Sequence, residues 1–409
     1  MVRHRNRKRG IRSSDMGTME RLAEKSLDPD LYVRGIDGDA DAQNLLGMLY
    51  SSGKGVIQDW SCATEWFHRA AQQGHANAQF NLGVVCSRGE GAQIDLPVAR
   101  HWYEKAAQQG HIKAQFNLGL LYEKGDGVDR DMATAFAWYA SAAEKGHAGA
   151  QNNLGLMYAN ANGVDCDFGL ALYWFQKAAN QGYAAAQNNL GMVYTSPKNR
   201  SPDLEKAVMW YRKAAEQNYA NAQYNLAALL DKRDAVDCDV AHDKNLVEVV
   251  ALYKAAAQHK HIKALYALGQ LHDSGRGVTQ QPDLALTYYL KAAELGYAPA
   301  QLVVGTKYDS GYGVCQNHQK ARVFYTLAAR NGHPRAQFNL GSMLLVGHGG
   351  PVDTVQAHKW FSLAGSATPD DLGDRPKRLS LIAESLMSEH EVAEAKRLAL
   401  EWRRNSVQA

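Results

Sequence analysis

The chain has 409 residues, of which 45% are hydrophobic and 21% charged, and its formal net charge is +3. This composition is typical of soluble globular proteins, and a charge so close to zero gives no overall electrostatic basis for nucleic-acid or membrane binding. Since no apolar run approaches the roughly 18 residues that a membrane-spanning helix needs, the sequence predicts no membrane span.

The N-terminus begins with the basic stretch MVRHRNRKRG, and the apolar segment of a secretory signal does not follow it. We therefore expect residues 1–20 to form a disordered tail and the protein to be cytoplasmic. Three alternatives stay open: the tail is a basic address signal, it is an arm that contacts RNA, or the chain starts at Met16 or Met19. The five cysteines are odd in number and include no Cys-x-x-Cys pair, which favours a reducing compartment.

A repeat of 36 residues makes nine units between about residue 39 and residue 365, with one step of 42 residues in the sixth unit. Residues 21–38 match the end of a unit, so they are predicted to be a half-repeat that caps the array. An aromatic pair, such as Trp102-Tyr103, keeps the same phase in the second half of the units. The first half is marked by an alanine, followed by glutamine in all units but one, at Ala42, Ala78, Ala114, Ala150, Ala186, Ala222, Ala264, Ala300 and Ala336.

Each unit is predicted to contain two helices. In the third unit, Leu118 and Tyr122 are four residues apart and lie on one apolar stripe of the first helix. Gly119 inside this helix costs about 1 kcal/mol relative to alanine, so we expect another helix to pack closely against it. Asp131 is predicted to cap the second helix, and Gly146 to follow its last turn.

Two units and the C-terminal region depart from this pattern. The fifth unit lacks the Gly-x-Gly turn at residues 196–203, and the sixth lacks both glycines within residues 231–250. Regular stacking is therefore in doubt there. Residues 366–378 are predicted to be a polar linker and residues 379–409 to form C-terminal capping helices, one of them starting at a Ser388–Glu391 capping box.

The unit Ala-Gln-x-x-Leu-Gly-x-x-Tyr-x-x-Gly-x-Gly-Val, followed by Asp and Ala-x-x-Trp-Tyr-x-x-Ala-Ala-x-x-Gly, resembles the Sel1-like repeat, a relative of the tetratricopeptide repeat. The resemblance implies an all-α fold: a right-handed α-solenoid of helix-turn-helix repeats with a C-terminal capping helix. It also implies a scaffold for protein–protein contacts that has no catalytic activity. Some secreted members join the helices of each unit through a cysteine pair, which this sequence lacks.

Several motifs that could be mistaken for functional sites are interpreted as structural. The Gly-Asp-Gly turn at Asp126 could hold a cation, but other units replace this aspartate with lysine, arginine or tyrosine. The glycine after the second helix is replaced by asparagine or lysine in two units. The next position carries a histidine in five units and tyrosine, a poor substitute for a zinc ligand, in three. We expect no catalytic residue, metal, cofactor or small-molecule substrate. The five histidines at the position after the second helix are His75, His111, His147, His261 and His333.

An asparagine precedes the Leu-Gly pair of the first helix in many units, at the edge of the predicted buried face. In related tetratricopeptide proteins an asparagine in this place lines the concave groove and binds a peptide backbone; an inter-repeat hydrogen bond is the alternative. Three residues further on, units two to five carry apolar side chains, whereas the later Gln270, Thr306 and Ser342 are polar. The predicted partner-binding residues are Asn81, Asn117, Asn153, Asn189, Asn225, Asn339, Val84, Leu120, Leu156 and Met192.

The leading hypothesis is a non-enzymatic adaptor that binds a protein or peptide on its concave surface, with an amphipathic or extended segment lying across units two to five. An immunity-type inhibitor that wraps a toxin is an alternative within the same class. A hydrolase, as proposed for some cysteine-rich relatives, is the alternative from another class, and the missing cysteine pairs and catalytic motifs count against it. RNA binding through the basic tail is a further alternative. The sequence predicts no particular oligomeric state.

Overall fold

The computed structural model describes residues 28–91, 93–197, 202–234, 242–366 and 372–407. The predicted basic tail at 1–20 lies outside these residues, as does Asp239, which occupies in the sixth unit the position of the predicted cap Asp131. The described part of the chain forms 21 α-helices and no strand. It divides into two compact units, residues 1–207 and 208–409, and within each unit most helices that follow one another in the chain pack together.

The helices fall into nine consecutive pairs, from α2/α3 (repeat one) to α18/α19 (repeat nine), with one helix before them and two after. Their bounds are α1 Pro29–Ile36, α2 Ala40–Ser52, α3 Trp60–Gln72, α4 Ala76–Arg88, α5 Leu96–Gln108, α6 Ile112–Lys124, α7 Met132–Glu144, α8 Ala148–Asn160, α9 Phe168–Asn180, α10 Ala184–Thr195, α11 Leu204–Glu216, α12 Ala220–Asp234, α13 His242–Gln258, α14 Ile262–Ser274, α15 Pro282–Glu294, α16 Ala298–Ser310, α17 His318–Arg330, α18 Pro334–Val346, α19 Thr354–Ala364, α20 Arg375–Ser385 and α21 Glu389–Val407.

The glycine inside the first helix of a repeat is explained by the aromatic residue of the second helix. A Cβ atom at Gly119 would lie 2.4 Å from the ring of Tyr139, and one at Gly83 would lie 2.6 Å from the ring of Tyr103. Both distances are shorter than van der Waals contact, so only glycine lets the two helices approach this closely. The close packing predicted at Gly119 is therefore confirmed, and its partner is the second helix of the same repeat.

The predicted turns and caps are also present. Gly125 and Gly127 have φ values of +78° and +70°, the left-handed region that favours glycine. The Asp131 carboxylate accepts hydrogen bonds from the backbone N–H groups of Ala133 and Thr134 at 3.0 and 3.1 Å, which satisfies unpaired donors of the first turn of α7. The same role falls to Asp59, Asp95, Asp167, Asn317 and Asp353 in other repeats.

The glutamine of the Ala-Gln motif joins successive repeats. The buried Gln79 side chain donates from Nε2 to the Ala71 carbonyl at 3.1 Å, at the C-terminal end of α3. Its Oε1 accepts from Gln109 Nε2 at 2.7 Å. The terminal carbonyls of a helix lack partners within the helix, so this side chain satisfies one of them from the next repeat. Gln115, Gln151, Gln187, Gln223, Gln301 and Gln337 make the equivalent bond to the preceding repeat.

Repeat six and the C-terminal region are two of the places where the sequence pattern was irregular, and both form helices. Repeat six retains its helix pair, since α12 and α13 pack together despite the missing glycines. Helix α20 begins at Arg375, inside the segment predicted to be linker up to residue 378. Pro376 lies in its first turn, where a proline ring costs no hydrogen bond, so the polar composition there did not exclude a helix. The capping box of α21 is present, with Ser388 N–H donating to Glu391 Oε2 at 2.8 Å.

Candidate partner-binding site

An apolar row follows the first helices of repeats one to five, all within residues 1–207. Its members occupy one position of the repeat, three residues after the asparagine position. Met192 is 51% exposed, Met48 48% and Leu156 36%, whereas Val84 and Leu120 are half-buried. Four of these residues were predicted from the sequence, whereas Met48 was not, although the 36-residue phase from Val84 points to it. The apolar row is Met48, Val84, Leu120, Leu156 and Met192.

The asparagines beside the apolar row are half-buried and make bonds between repeats. Asn81 Nδ2 donates to Asn44 Oδ1 at 3.0 Å, and Asn189 Nδ2 donates to Asn152 Oδ1 at 2.8 Å. In each case the acceptor belongs to the preceding repeat. These bonds are of the kind that the sequence analysis named as the alternative to ligand contact. An asparagine side chain has two N–H donors and one carbonyl acceptor, so one such bond leaves further capacity to contact a peptide.

Other asparagines of the set hydrogen-bond a buried tyrosine of the preceding repeat. Burial raises the pKa of the Tyr103 hydroxyl, and hydrogen bonds with Ser87 and Asn117 offset part of that rise. Tyr103 and Ser87 are 3.1 Å apart between their hydroxyl oxygens. Because its pKa is raised, the hydroxyl is neutral at physiological pH, so the Asn117 bond does not change with pH there. Asn153 and Asn339 bond Tyr139 and Tyr325 in the same way, whereas Asn225 is half-buried at the equivalent position of α12 in the second compact unit.

The recurring histidines have a role that sequence analysis missed. His111 Nδ1 accepts from the backbone N–H of Ala114 at 3.2 Å and thereby caps the first turn of α6. Its ring stacks on Phe80 of the preceding repeat, with ring centroids 4.5 Å apart. Burial lowers the pKa of His111, with the charge of Lys113 as a second cause, so the ring is neutral and its Nδ1 can accept. His75, His147 and His261 cap their helices in the same way.

The described residues contain no group of three or more His, Cys, Asp or Glu side chains that could hold a metal ion. Across the same residues, no helix is both long and apolar enough to cross a membrane. The described cysteines Cys62, Cys86, Cys166 and Cys315 carry free thiols.

Repeated helix pairs joined through their glutamines define the chain as an α-solenoid. A family model for the Sel1 repeat matches residues 40–75, 76–111, 112–147, 148–183, 184–219, 262–297, 298–333 and 334–368. The chain therefore belongs to the Sel1 repeat family. The matches leave out residues 220–261, where the structure nevertheless has the helix pair of repeat six.

Solved structures of Sel1-type proteins share this fold. The protective antigen c5321 of uropathogenic Escherichia coli, which displays an SLR fold, is 31% identical, with a TM-score of 0.70 over 91% of this chain and 78% of that one. A Sel1 repeat protein from Oxalobacter formigenes is 30% identical, with a TM-score of 0.58 over 81% of this chain and 93% of its own. No curated protein matches the chain significantly.

The immunity protein Pa5087 from Pseudomonas aeruginosa is 23% identical, with a TM-score of 0.35 over 58% of this chain and 81% of its own. This likeness is too low to transfer a function, so the inhibitor alternative stays a prediction.

Proposed function

We propose that the chain is a non-enzymatic adaptor that binds a partner protein or peptide on the first helices of repeats two to five. The observation that carries the proposal is the exposure of the apolar row. Isolated exposed apolar side chains are normal on protein surfaces, whereas a contiguous apolar patch marks a contact site. Here one position of the repeat is apolar in five successive first helices, and three of its side chains are at least 36% exposed.

The chemistry of the apolar row suits a polypeptide ligand. Leucine and methionine present flexible apolar surface, and methionine in particular adapts to partners of different shape. The neighbouring asparagines carry amide donors and acceptors of the kind that a peptide backbone needs. An amphipathic helix or an extended segment could place its apolar side chains on the row and its backbone beside the asparagines.

The proposal is tested by reversing the polarity of the exposed members of the apolar row. Leu156→Glu combined with Met192→Glu places two charges where an apolar partner surface would be buried. We expect capture of the native partner from a lysate of the source organism to fall at least about tenfold, the effect of losing roughly 1.4 kcal/mol at a hot spot. The asparagines are less suitable targets, since Asn117→Ala would also remove a bond between repeats.

A matched control uses two apolar residues of similar exposure on the second helices. Val98 and Leu170 are 39% and 40% exposed and lie on α5 and α9, outside the apolar row. The pair Val98→Glu and Leu170→Glu should retain capture within about twofold, and circular dichroism should show all variants equally helical. Equal capture by the row variant and the wild type would refute this placement of the site.

The absence of catalytic activity is also part of the proposal. It rests on the resemblance to a family of scaffold proteins. A panel of ester, phosphate and peptide substrates should show no turnover above that of a denatured sample. Turnover that follows the protein through purification would contradict this part of the proposal and favour the hydrolase alternative.

A further inference from the structure

A cavity of about 570 Å³ lies within the second compact unit, between the first helices of repeats six and seven. Its size is in the range of ligand-binding clefts. Tyrosine rings form much of its wall: Tyr224 and Tyr253 have centroids 5.8 Å apart, and Tyr266 and Tyr297 have centroids 5.3 Å apart. Because each ring is packed on another, the wall is held in place without a ligand.

The cavity exists because two positions of the repeat carry alanine here. Ala228 on α12 occupies the position that Leu156 and Met192 occupy in repeats four and five. Ala267 on α14 occupies the asparagine position of the repeat, which is Asn117 in α6. Both alanines line the cavity. The missing side-chain volume is therefore a property of this sequence, at positions that other repeats fill.

The change to Ala267 leaves a tyrosine hydroxyl at the cavity without the asparagine partner that other repeats provide. The equivalent tyrosines Tyr103 and Tyr139 receive a hydrogen bond from the asparagine of the next repeat. Tyr253 is only 4% exposed and lines the cavity, and within the described part of the chain its hydroxyl has no hydrogen-bond partner. Burial, and next the charge of Asp231, raise the pKa of Tyr253, so the hydroxyl is neutral and can donate. The side chain is buried, but its hydroxyl oxygen stays accessible from the cavity, so a ligand there can reach it.

The described residues at the rim of the cavity carry a net positive charge. Lys232 and Lys263 are exposed at the rim, and neither forms an ion pair in the described part of the chain. Arg276 also lines the cavity and pairs with Asp231, the one acidic residue among the described residues of the lining. Among these described residues, three cations therefore face one carboxylate. Their net charge is positive although the chain as a whole is close to neutral, and a positively charged cleft attracts anionic groups.

We propose that this cavity, the tyrosine pocket, binds an acidic peptide segment, with peptide carboxylates at Lys232 and Lys263 and a hydrogen-bond acceptor of the peptide at the Tyr253 hydroxyl. A peptide fits the location because Ala228 and Gln270 of the lining belong to the same repeat position as the apolar row. The tyrosine pocket lies in the other compact unit and has opposite chemistry from the apolar row. The choice of a peptide as the occupant rests on the proposed function, whereas the cavity, its charge and the Tyr253 hydroxyl do not.

The test measures binding of a fluorescein-labelled peptide, Glu-Glu-Phe-Glu-Glu, to the full chain by fluorescence polarisation. We expect Lys263→Glu to weaken binding at least tenfold, because it reverses a rim charge on an exposed side chain. Ala267→Asn should weaken binding by a similar factor, because it restores the side chain that other repeats place against this tyrosine. Since that variant reproduces a contact of the other repeats, its thermal stability should equal or exceed that of the wild type.

Two controls separate the tyrosine pocket from general charge attraction. Lys113 occupies the position of Lys263 in repeat three and is also exposed, so Lys113→Glu makes the same charge change elsewhere. It should change affinity less than twofold, and the uncharged peptide Gln-Gln-Phe-Gln-Gln should bind at least tenfold more weakly. Absence of binding by the acidic peptide, an equal loss in Lys113→Glu, or unchanged affinity in Ala267→Asn would each overturn the inference. The Leu156→Glu and Met192→Glu pair should leave this affinity unchanged, so a failure of this inference can be distinguished from a failure of the proposed function.

Discussion

At the residue scale, the residues of the repeated motif are explained by the contacts that they make between helices. The glycine of the first helix makes room for an aromatic ring, and the glutamine four residues earlier joins the repeat to its predecessor. The first contact could be predicted from sequence, because a glycine that costs helix stability implies a close neighbour. The second could not, since glutamine is usually exposed and its partner, a helix-terminal carbonyl such as that of Ala71, has no sequence signature.

The contact at Gly119 predicts a loss of stability on a minimal change. Gly119→Ala should improve helix propensity but force its Cβ into the ring of the fully buried Tyr139. Overpacking of this kind costs about 1–3 kcal/mol, so we expect a net decrease in the free energy of unfolding, measured by urea denaturation.

The control for this prediction is Gly169→Ala, at an exposed position near the start of α9. A Cβ atom there would meet only the Asp167 Oδ1 atom, at 3.2 Å, and this exposed side chain can move by the few tenths of an ångström that are needed. Alanine also has the higher helix propensity. This variant should be neutral or slightly stabilised. If Gly119→Ala were equally well tolerated, the steric explanation of the glycine that recurs inside the first helices would be wrong.

At the element scale, the ends of the helices were more predictable than their contacts. Aspartate before a second helix and glycine after it follow general capping preferences, and both hold in the structure. The histidine cap of the first helix was missed because histidine is not a preferred N-cap residue. Its function depends on a neutral ring that is stacked on a side chain of the preceding repeat, and that arrangement exists only in the folded stack.

The histidine caps predict that stability falls at mildly acidic pH. Burial is the first cause that lowers the pKa of His111, His147 and His261, and nearby lysines add to it. The folded state therefore binds protons less readily than the unfolded chain, in which the histidine pKa is about 6.5. The contribution of the histidine caps to the free energy of unfolding is fully present above roughly pH 7.5. It decreases as the pH falls through the histidine pKa of the unfolded chain. Urea denaturation at pH 7.5 and pH 5.5 measures the difference.

A variant that caps the same helices without titrating provides the comparison. His111→Ser, His147→Ser and His261→Ser together keep a side-chain acceptor at each N-cap. We expect this triple variant to lose less stability than the wild type between the two pH values. An identical loss in both proteins would show that the histidine caps do not control the pH dependence.

At the scale of the whole molecule, the fold followed from periodicity, whereas the sites required coordinates. Nine in-phase units predicted nine helix pairs, and even the irregular sixth unit keeps its pair. The apolar row could be read from the same phase, because a solenoid places equivalent residues side by side. The tyrosine pocket could not be read in this way, since Ala228 and Ala267 look unremarkable until the cavity between them and the hydroxyl of Tyr253 are seen.

Site-specific photo-crosslinking tests the central claim, that the apolar row is the partner-binding surface, most directly. A benzophenone amino acid would replace Leu156 or Met192 in the full chain and, as controls, Val98 or Leu170. After irradiation in cells of the source organism, mass spectrometry identifies the attached polypeptides. We predict one partner attached at both row positions and at neither control. The same polypeptides at all four positions, or none at Leu156 and Met192, would contradict the account.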